Sequence, residues 1–217
     1  MGVCLMLATP APATVYTVST GGAAGWTNLQ TTITGAASND EIRIQGGLTL
    51  TGTGSELAVT KVLNIGGGWD ASFAVQNPTL YGATVLNGNG ASRVLSVTAR
   101  GALSYLEVTG GNGVGTISTG SGGGVYLDGT AAGSRLVNLD VRTNSAVSRG
   151  GGIYAAGPVA LFNCKVYGNT ASSAGGGITL FAASGQNTLV FNSLVYGNTA
   201  GNTLWAGNGW FGGGGSF

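Results

Sequence analysis

Histidine is absent from this chain of 217 residues, and only 7 % of the residues carry a charge. The chain therefore lacks the side chain that most often serves as a general base at neutral pH and as a metal ligand. The formal net charge of +1 is too small for the many phosphate contacts on which nucleic-acid binding depends. We accordingly expect no cofactor, no metal and no nucleic-acid partner.

Long apolar runs and closely spaced cysteines are missing as well. No run of about 18 apolar residues occurs, so we expect no membrane span. The two cysteines, Cys4 and Cys164, lie far apart in the chain. Cys164 falls in an apolar column of the repeat described below, which predicts a buried free thiol and no disulfide.

Glycine is abundant, with 43 residues, but it follows no collagen-type triplet period. Hydrophobic residues make up 43 % of the chain, whereas disordered chains are usually rich in charge and poor in β-branched residues. Three glycine triplets, at 122–124, 150–152 and 175–177, punctuate the C-terminal half. The composition therefore predicts a folded, turn-rich domain.

A 13-residue block recurs three times in the C-terminal half. The copies read SRLVNLDVRTNSA at 134–146, VALFNCKVYGNTA at 159–171 and TLVFNSLVYGNTA at 188–200, with a fainter ALSYLEVTGGN at 102–112. The aligned asparagines are offset by 25 residues (138 to 163) and then by 29 (163 to 192). A period in the twenties, made of short β-type runs and glycine turns, is typical of a solenoid.

Aliphatic residues of the copies fall into three columns. They are Leu103, Leu136, Leu161 and Val190; then Leu106, Leu139, Cys164 and Ser193; then Val108, Val141, Val166 and Val195. The alternation changes phase at the aligned asparagine, so the strand must bend there. Asparagine tolerates the left-handed conformation that such a bend needs, which places Asn138, Asn163 and Asn192 at a corner. A second column, Asn144, Asn169 and Asn198, marks the next turn.

These columns predict an all-β fold, a right-handed parallel β-helix (β-solenoid) of roughly seven or eight coils. The N-terminal part is less regular. Leu29 and Ile33 lie at helical spacing behind Thr27 as a cap, which predicts a short helix over 27–37 that covers the apolar end of the solenoid. We divide the chain into 14–90, the cap and first coils; 91–200, the regular coils; and 201–217, an uncharged segment rich in glycine and aromatics.

Several segments together resemble secreted right-handed β-helix proteins of bacterial surfaces, namely the polymorphic outer-membrane-protein-like and autotransporter-passenger-like families. The matching segments are NDEIRI at 39–44, GGGWD at 66–70, TVLNG at 84–88, GGGIY at 150–154 and YGNTA at 167–171 and 196–200. They are turn and core residues, so they bear on architecture more than on function. The resemblance implies export, adhesion or a surface scaffold.

The start of the chain is consistent with an extracellular or cell-surface location. Residues 1–13, MGVCLMLATPAPA, contain a short apolar run and an Ala-Pro-Ala end that resembles the tail of a signal peptide, although no basic region precedes it. The alternative is an ordinary N-terminal strand that covers the cap.

Two acidic residues, Glu107 and Asp140, share one outward column with Lys165. On neighbouring coils two carboxylates would stand roughly 5 Å apart, close to the spacing in retaining glycosidases. One interpretation is therefore a glycan-cleaving site at these three residues. The other, which we prefer, is a solvated ladder in which Asp140 pairs with Lys165 and contributes little. We expect no enzyme, because the acids are few and histidine is missing.

Aromatic side chains offer two further surfaces. Tyr167 and Tyr196 occupy one outward column, where they either stabilise the rod or form a platform for a surface glycan or a partner. The C-terminal segment carries Trp205, Trp210, Phe211 and Phe217. Because an uncapped solenoid end invites strand pairing, we expect this segment to join the first strand of another copy, at Val15, Tyr16 and Val18.

The functional prediction is a non-enzymatic extracellular β-helix, a structural or adhesive module that self-associates into a fibre or surface layer. The low charge and the aromatic C-terminal segment favour this interpretation. The alternative is a glycan-binding or glycan-cleaving β-helix.

Overall fold

The computed structural model describes residues 12–116, 120–182, 186–201 and, as backbone, 209–212. Within these residues the protein is mostly β, and all pairings between its strands are parallel. The helices of the described chain are α1 (Gly22–Gly35), α2 (Pro78–Tyr81) and a 3₁₀ turn (Gly129–Ala131). The coarser part of the fold prediction is therefore confirmed: the protein is mostly β, with parallel sheets, few helices and one helix near its N-terminus.

The described strands form four sheets. The strands of each sheet are given below in the order in which they lie, starting at its N-terminal edge. Sheet A contains β1 (Val15–Val18), β2 (Glu41–Gln45), β5 (Asn64–Trp69), β8 (Ala102–Ser104), β11 (Arg135–Val137), β15 (Ala160–Phe162) and β19 (Leu189–Phe191). Sheet B contains β3 (Thr49–Thr51), β6 (Thr84–Asn87), β9 (Leu106–Thr109), β12 (Asp140–Arg142), β16 (Lys165–Tyr167) and β20 (Leu194–Tyr196).

Sheet C contains β4 (Leu57–Val59), β7 (Leu95–Val97), β10 (Val125–Leu127), β14 (Ile153–Ala155), β18 (Ile178–Phe181) and β22 (Gly209–Gly212). Sheet D contains β13 (Ser145–Ala146), β17 (Thr170–Ala171) and β21 (Thr199–Ala200). From β2 onward the chain passes through sheets A, B and C in the same order each time, with sheet D between B and C from β13. We call one such passage a circuit.

The inward side chains of sheets A, B and C meet in one hydrophobic cluster. The predicted columns are confirmed by the strand register, in which Leu136 lies over Leu103 and under Leu161, and Val141 between Val108 and Val166. These residues are almost completely buried. Each parallel strand thus stacks its aliphatic side chain on the equivalent one of the neighbouring circuit, which removes apolar area from water.

The predicted bend at the aligned asparagines is also confirmed. The φ angles of Asn138, Asn163 and Asn192 are 53°, 54° and 46°, and Tyr105, at the same place in the fainter copy, has 54°. An L-residue in this left-handed region is uncommon, and asparagine is the non-glycine residue that tolerates it best. The corner turns the chain from sheet A into sheet B within two residues.

The glycine triplets precede the strands of sheet C. The first glycine of each triplet has a left-handed φ, as at Gly150 with 61°. The second glycine lies against the next circuit: a Cβ on Gly151 would stand 2.3 Å from the carbonyl oxygens of Gly176 and Thr170. The triplets are therefore required both by backbone conformation and by the close stacking of circuits.

The second asparagine column forms an internal hydrogen-bonded ladder, whereas the sequence predicted only a turn. Asn169 is buried, and its Nδ2 donates to the carbonyl oxygens of Val141 and Tyr167 at 2.9 and 3.0 Å. Its Oδ1 accepts from the backbone N and the Nδ2 of Asn144, both at 3.0 Å. The ladder thus satisfies backbone groups that the turn leaves without partners.

Helix α1 begins at Gly22, so the predicted start at Thr27 is wrong. Thr27 lies inside the helix, and its hydroxyl donates to the carbonyl of Ala23 at 3.2 Å. The buried face starts with Trp26 and continues with Leu29 and Ile33. Gly21 occupies the N-cap position in extended conformation and makes no side-chain hydrogen bond, so no threonine caps this helix.

Replacing Asn169 tests the buried ladder. We expect Asn169→Ala to lower the free energy of unfolding by about 2–4 kcal/mol, because several buried backbone groups lose their partners. The matched control is Asn163→Gly at the exposed corner, where glycine keeps the left-handed φ and the loss should stay below about 1 kcal/mol. Urea denaturation measures both changes, and equal losses would contradict the role of the ladder.

Candidate functional site

The predicted acidic column is brought together by the fold. In sheet B, Asp140 lies directly between Glu107 of the preceding strand and Lys165 of the following one. The three side chains alternate with the inward Val108, Val141 and Val166, so they point away from the core. The sequence therefore predicted this juxtaposition correctly.

Arg142, which no sequence pattern singled out, changes the electrostatics of this column. Its Nη2 forms an ion pair with Oε1 of Glu107, and its Nε lies 4.0 Å from Oδ1 of Asp140. The predicted pairing of Asp140 with Lys165 is not found among the ion pairs of the described residues. Burial raises the pKa of Asp140, and Arg142, the hydroxyl of Tyr167 and Lys165 act in the opposite direction.

A shallow cavity of about 270 Å³ lies at the corner between sheets A and B. It is lined by Pro78, Tyr105, Asn138, Leu139, Asp140, Asn163 and Lys165. Asp140 and Lys165 face this cavity, whereas Glu107 is not part of its lining. The two carboxylates therefore do not converge on a common cavity, as acid and nucleophile do in a two-carboxylate hydrolase.

The predicted tyrosine pair is stacked. The ring centroids of Tyr167 and Tyr196 are 5.0 Å apart, with 4° between the ring planes. Since this separation matches the strand spacing, the ring normals run along the stacking direction. The pair thus presents ring edges and hydroxyls to the side, and the outer ring face of Tyr196 points beyond the last described circuit. Sugars stack on ring faces, so a lateral glycan platform gains little from this arrangement.

The outward positions of sheets A and B become apolar toward the C-terminus. In the circuit of β11 and β12 they are Arg135, Val137, Asp140 and Arg142; in the next, Ala160, Phe162, Lys165 and Tyr167; in that of β19 and β20, Leu189, Phe191, Leu194 and Tyr196. The last four are exposed by 48, 61, 58 and 49 %. We call these four residues the C-terminal apolar surface.

The edge of this circuit is open within the described chain. β19, β20 and β21 are the last described strands of sheets A, B and D. The inward residues Val190 and Val195 are only partly buried, unlike their counterparts Leu161 and Val166 one circuit earlier. An edge of unpaired backbone groups beside incompletely covered core residues is a site for strand addition.

The other residues of the predicted assembly surface are placed differently. Trp205 and Phe217 lie outside the described residues. Trp210 and Phe211 belong to β22, whose backbone pairs with β18 of the same chain. At the N-terminal side β1 is the first described strand of sheet A; there Val18 is buried, Tyr16 is partly buried against the core, and Val15 is 44 % exposed.

Helix α1 covers the N-terminal edges of sheets B and C. Gly22 forms a parallel bridge with Leu50 of β3. The side chain of Gln30 takes the place of a neighbouring strand at β4: its Oε1 accepts from the backbone N of Ala58 at 2.8 Å, and its Nε2 donates to the carbonyl of the same residue at 3.5 Å. Edges covered in this way are protected against pairing with another chain.

A buried ion pair is the main polar feature that sequence reasoning missed. Nη1 of Arg93 lies 2.7 Å from Oε2 of Glu56, and both side chains are almost completely buried. Arg93 also donates to the carbonyl oxygens of Gly113, Ser121 and Gly122, while its guanidinium lies 4.6 Å from the ring centroid of Tyr126. Burial lowers the pKa of Arg93, and the charge of Glu56 opposes this effect.

This ion pair holds a long connection between β9 and β10. Oε1 of Glu56 accepts from the backbone N and the hydroxyl of Thr116, at 2.9 and 2.6 Å. Arg93 donates to carbonyl oxygens near the start of this connection, at Gly113, and near its end, at Ser121 and Gly122. Glu56 and Arg93 are 37 residues apart, and no local pattern links them. One signal in the sequence could have indicated the ion pair: Arg93 is a charged residue directly before the apolar Val94 and Leu95.

Comparison of the chain with protein-family models, with curated proteins and with solved structures gives no match.

Within the described ranges, no group of three Cys, Asp or Glu side chains is arranged to hold a metal ion. Neither described α-helix has the length and apolar character needed to cross a bilayer. Cys164 is buried and has a free thiol; Cys4 lies outside the described residues.

Replacing Arg93 tests the buried ion pair. We expect Arg93→Met to lower the free energy of unfolding by about 3–5 kcal/mol, since the charge of Glu56 would stay buried without its partner. The matched control is Arg142→Met, which breaks a partly exposed ion pair and should cost less than about 1 kcal/mol. Chemical denaturation measures both, and a small loss in Arg93→Met would contradict the assignment.

The raised pKa of Asp140 predicts a pH dependence. The folded state binds this proton more tightly than the unfolded chain, so its contribution to stability falls as pH rises from the ordinary carboxyl value of 3.8 through the raised one. Asp140→Asn should therefore stabilise the protein at pH 7 by a few tenths of a kcal/mol, because the half-exposed side chain is screened. The gain should vanish near pH 3. Thermal denaturation at both pH values measures it, and a variant less stable at pH 7 would contradict the prediction.

Proposed function

We propose that this protein is a non-enzymatic, extracellular structural or adhesive module that associates with copies of itself through its C-terminal circuit. We further propose that its circuits form a right-handed parallel β-helix capped by α1. The repeated order of sheets A, B and C around one core supports the helix. Right-handed connections between parallel strands are the general rule. The segments that resemble those of secreted bacterial surface proteins are the basis for the proposed location.

The observation that carries the proposal is the C-terminal apolar surface beside an open strand edge. Four large apolar side chains are exposed on two adjacent three-residue strands. In the circuit of β11 and β12 three of the four outward positions are charged, and in that of β15 and β16 one is, at Lys165. Of these three circuits, only that of β19 and β20 has four exposed apolar side chains there. Exposed apolar side chains that cluster in one place mark interaction surfaces, whereas single exposed ones are ordinary.

The distribution of charge agrees with this assignment. All 15 charged residues of the chain lie at or before Lys165, so the last 52 residues carry none. Charges on an edge strand are a common means by which proteins avoid pairing with other chains. The C-terminal circuit therefore has no charged side chains of the kind that Arg135, Asp140 and Arg142 supply two circuits earlier.

A second candidate function is glycan binding at the C-terminal end. The observation in its favour is the outer ring face of Tyr196, which no following tyrosine covers in the described chain and whose side chain is 49 % exposed. Aromatic faces of this kind pack against apolar faces of sugars. Such a site would hold one terminal sugar at the outer face of Tyr196, because the inner face of this ring stacks on Tyr167.

Two serine substitutions test self-association. Wild-type protein should show an average mass that increases with concentration in sedimentation velocity. Phe191→Ser with Leu194→Ser should shift this increase to concentrations at least tenfold higher, since burying each apolar side chain contributes about 2 kcal/mol. The matched control is Leu80→Ser, also strongly exposed but on α2, which should behave as wild type. A wild-type protein that is monomeric at all concentrations would refute the proposal.

A further inference from the structure

We infer that two copies join tail to tail, about a two-fold axis that passes through the corner at Asn192 and Ser193. This inference rests on the proposed self-association and specifies its partner surface: the C-terminal circuit of one copy binds the same circuit of the other. The product is a closed dimer. The fibre expected from the sequence would instead require the N-terminal edge as the partner surface.

The register of β19 and β20 around the corner is self-complementary. A two-fold axis midway between residues 192 and 193 reverses the order of the residues on the second copy. It places Leu189 opposite Tyr196, Val190 opposite Val195 and Phe191 opposite Leu194. In each pair both residues are outward or both are inward. Because a shift by one residue would pair inward with outward side chains, this match is specific.

The shape of the corner also fits a two-fold axis. The left-handed φ of 46° at Asn192 bends the chain between two strands of three residues each. Rotation by 180° about the bisector of a symmetric bend superimposes one arm on the other and reverses the chain direction. The edge of β19 thereby meets β20 of the second copy as an antiparallel pair. Two such pairs form at once, as in any isologous interface.

The dimer would cover apolar surface that a single copy leaves partly exposed. The inward Val190 and Val195 are partly buried in one copy and would contact each other across the axis, continuing the aliphatic columns. The outer ring face of Tyr196 would receive Leu189 of the second copy. Aromatic and aliphatic side chains opposite each other are favourable cross-strand pairs.

The N-terminal end offers no equivalent surface in the described chain. Helix α1 covers the edges of sheets B and C, where Gln30 already binds the backbone of β4. Beside it lies an open groove of about 540 Å³ lined by Trp26, Thr27, Gln30, Thr31, Thr34, Gly35, Thr53 and Ser55, most of them hydroxyl or amide side chains. Of the N-terminal edges, only β1 remains for pairing. A tail-to-head contact would therefore leave β20 against a polar helix surface.

Charge and size are compatible with a reversible dimer. Identical surfaces that meet across a two-fold axis bring like charges together, and the C-terminal circuit has none. The four side chains of the C-terminal apolar surface and the strand edge supply roughly 400 Å² per copy, given that a buried aromatic contributes about 150–250 Å². Interfaces of this size belong to transient complexes, so the equilibrium should be visible at micromolar concentrations.

A charge exchange across the axis tests this register. Leu189→Glu alone should raise the dissociation constant at least tenfold, because the carboxylate would face Tyr196 of the second copy. Adding Tyr196→Lys places each introduced lysine opposite an introduced glutamate of the other copy, twice per dimer. At low ionic strength the double variant should recover to within about threefold of wild type, and high salt should remove the recovery.

The control variant carries the same two charges, but they do not lie opposite each other across the axis. Leu189→Glu with Thr199→Lys moves the lysine to exposed β21, where the proposed axis brings no glutamate near it. This variant should stay as weak as Leu189→Glu alone. All substituted side chains are exposed. Circular dichroism with thermal denaturation confirms that each variant is folded.

Sedimentation velocity over about 1–100 µM separates the outcomes. A monomer–dimer equilibrium without larger species, with recovery only in the opposed pair, supports the two-fold geometry. Species that grow beyond the dimer, or a dimer that does not respond to the exchange, would overturn this geometry and leave self-association standing. Wild-type protein that stays monomeric would overturn both.

Discussion

Register between successive circuits is the constraint on which the rest of this structure depends. Each parallel strand places its residues directly over the equivalent residues of the previous circuit, so every column must suit its neighbours above and below. The corner meets this requirement with left-handed backbone at Asn138, Asn163 and Asn192. A one-residue slip at any of them would turn the aliphatic columns outward for the following strand. The aliphatic core and the outward surfaces both follow from this corner.

The stacking of successive circuits also determines where polar side chains are buried. Asn144 and Asn169 repeat one set of hydrogen bonds in successive circuits, so each asparagine serves the backbone of its own turn and of its neighbour. The pair of Arg93 and Glu56 differs, because it occurs once and fixes an irregular connection. The repeated asparagines thus stabilise the regular circuits, and a single ion pair stabilises the irregular connection between β9 and β10.

The N-terminal and C-terminal edges of the described sheets differ in how they are covered. At the N-terminal edge α1 buries Trp26, Leu29 and Ile33, and Gln30 satisfies the backbone of β4. At the C-terminal circuit the inward valines are partly exposed and the outward columns are apolar. Stacked circuits cannot satisfy their last strand edge by themselves, so the edge must be covered by a cap or by another chain. We propose another copy because the inward and outward residues of β19 and β20 are self-complementary.

The sequence by itself determined what repeats. The columns of Leu136, Leu161 and Val190, the bend at the aligned asparagines and the alignment of Glu107 with Asp140 all follow from a local alternation read across copies, because parallel register carries one copy onto the next. Only the tertiary structure decided which flexible side chain pairs with which charge: Arg142 reaches Glu107, and Arg93 reaches Glu56, because a long side chain can select among several neighbours in space. The start of α1 and the ring faces of the tyrosines were settled in the same way. They depend on how elements distant in the chain pack, and no repeat encodes that.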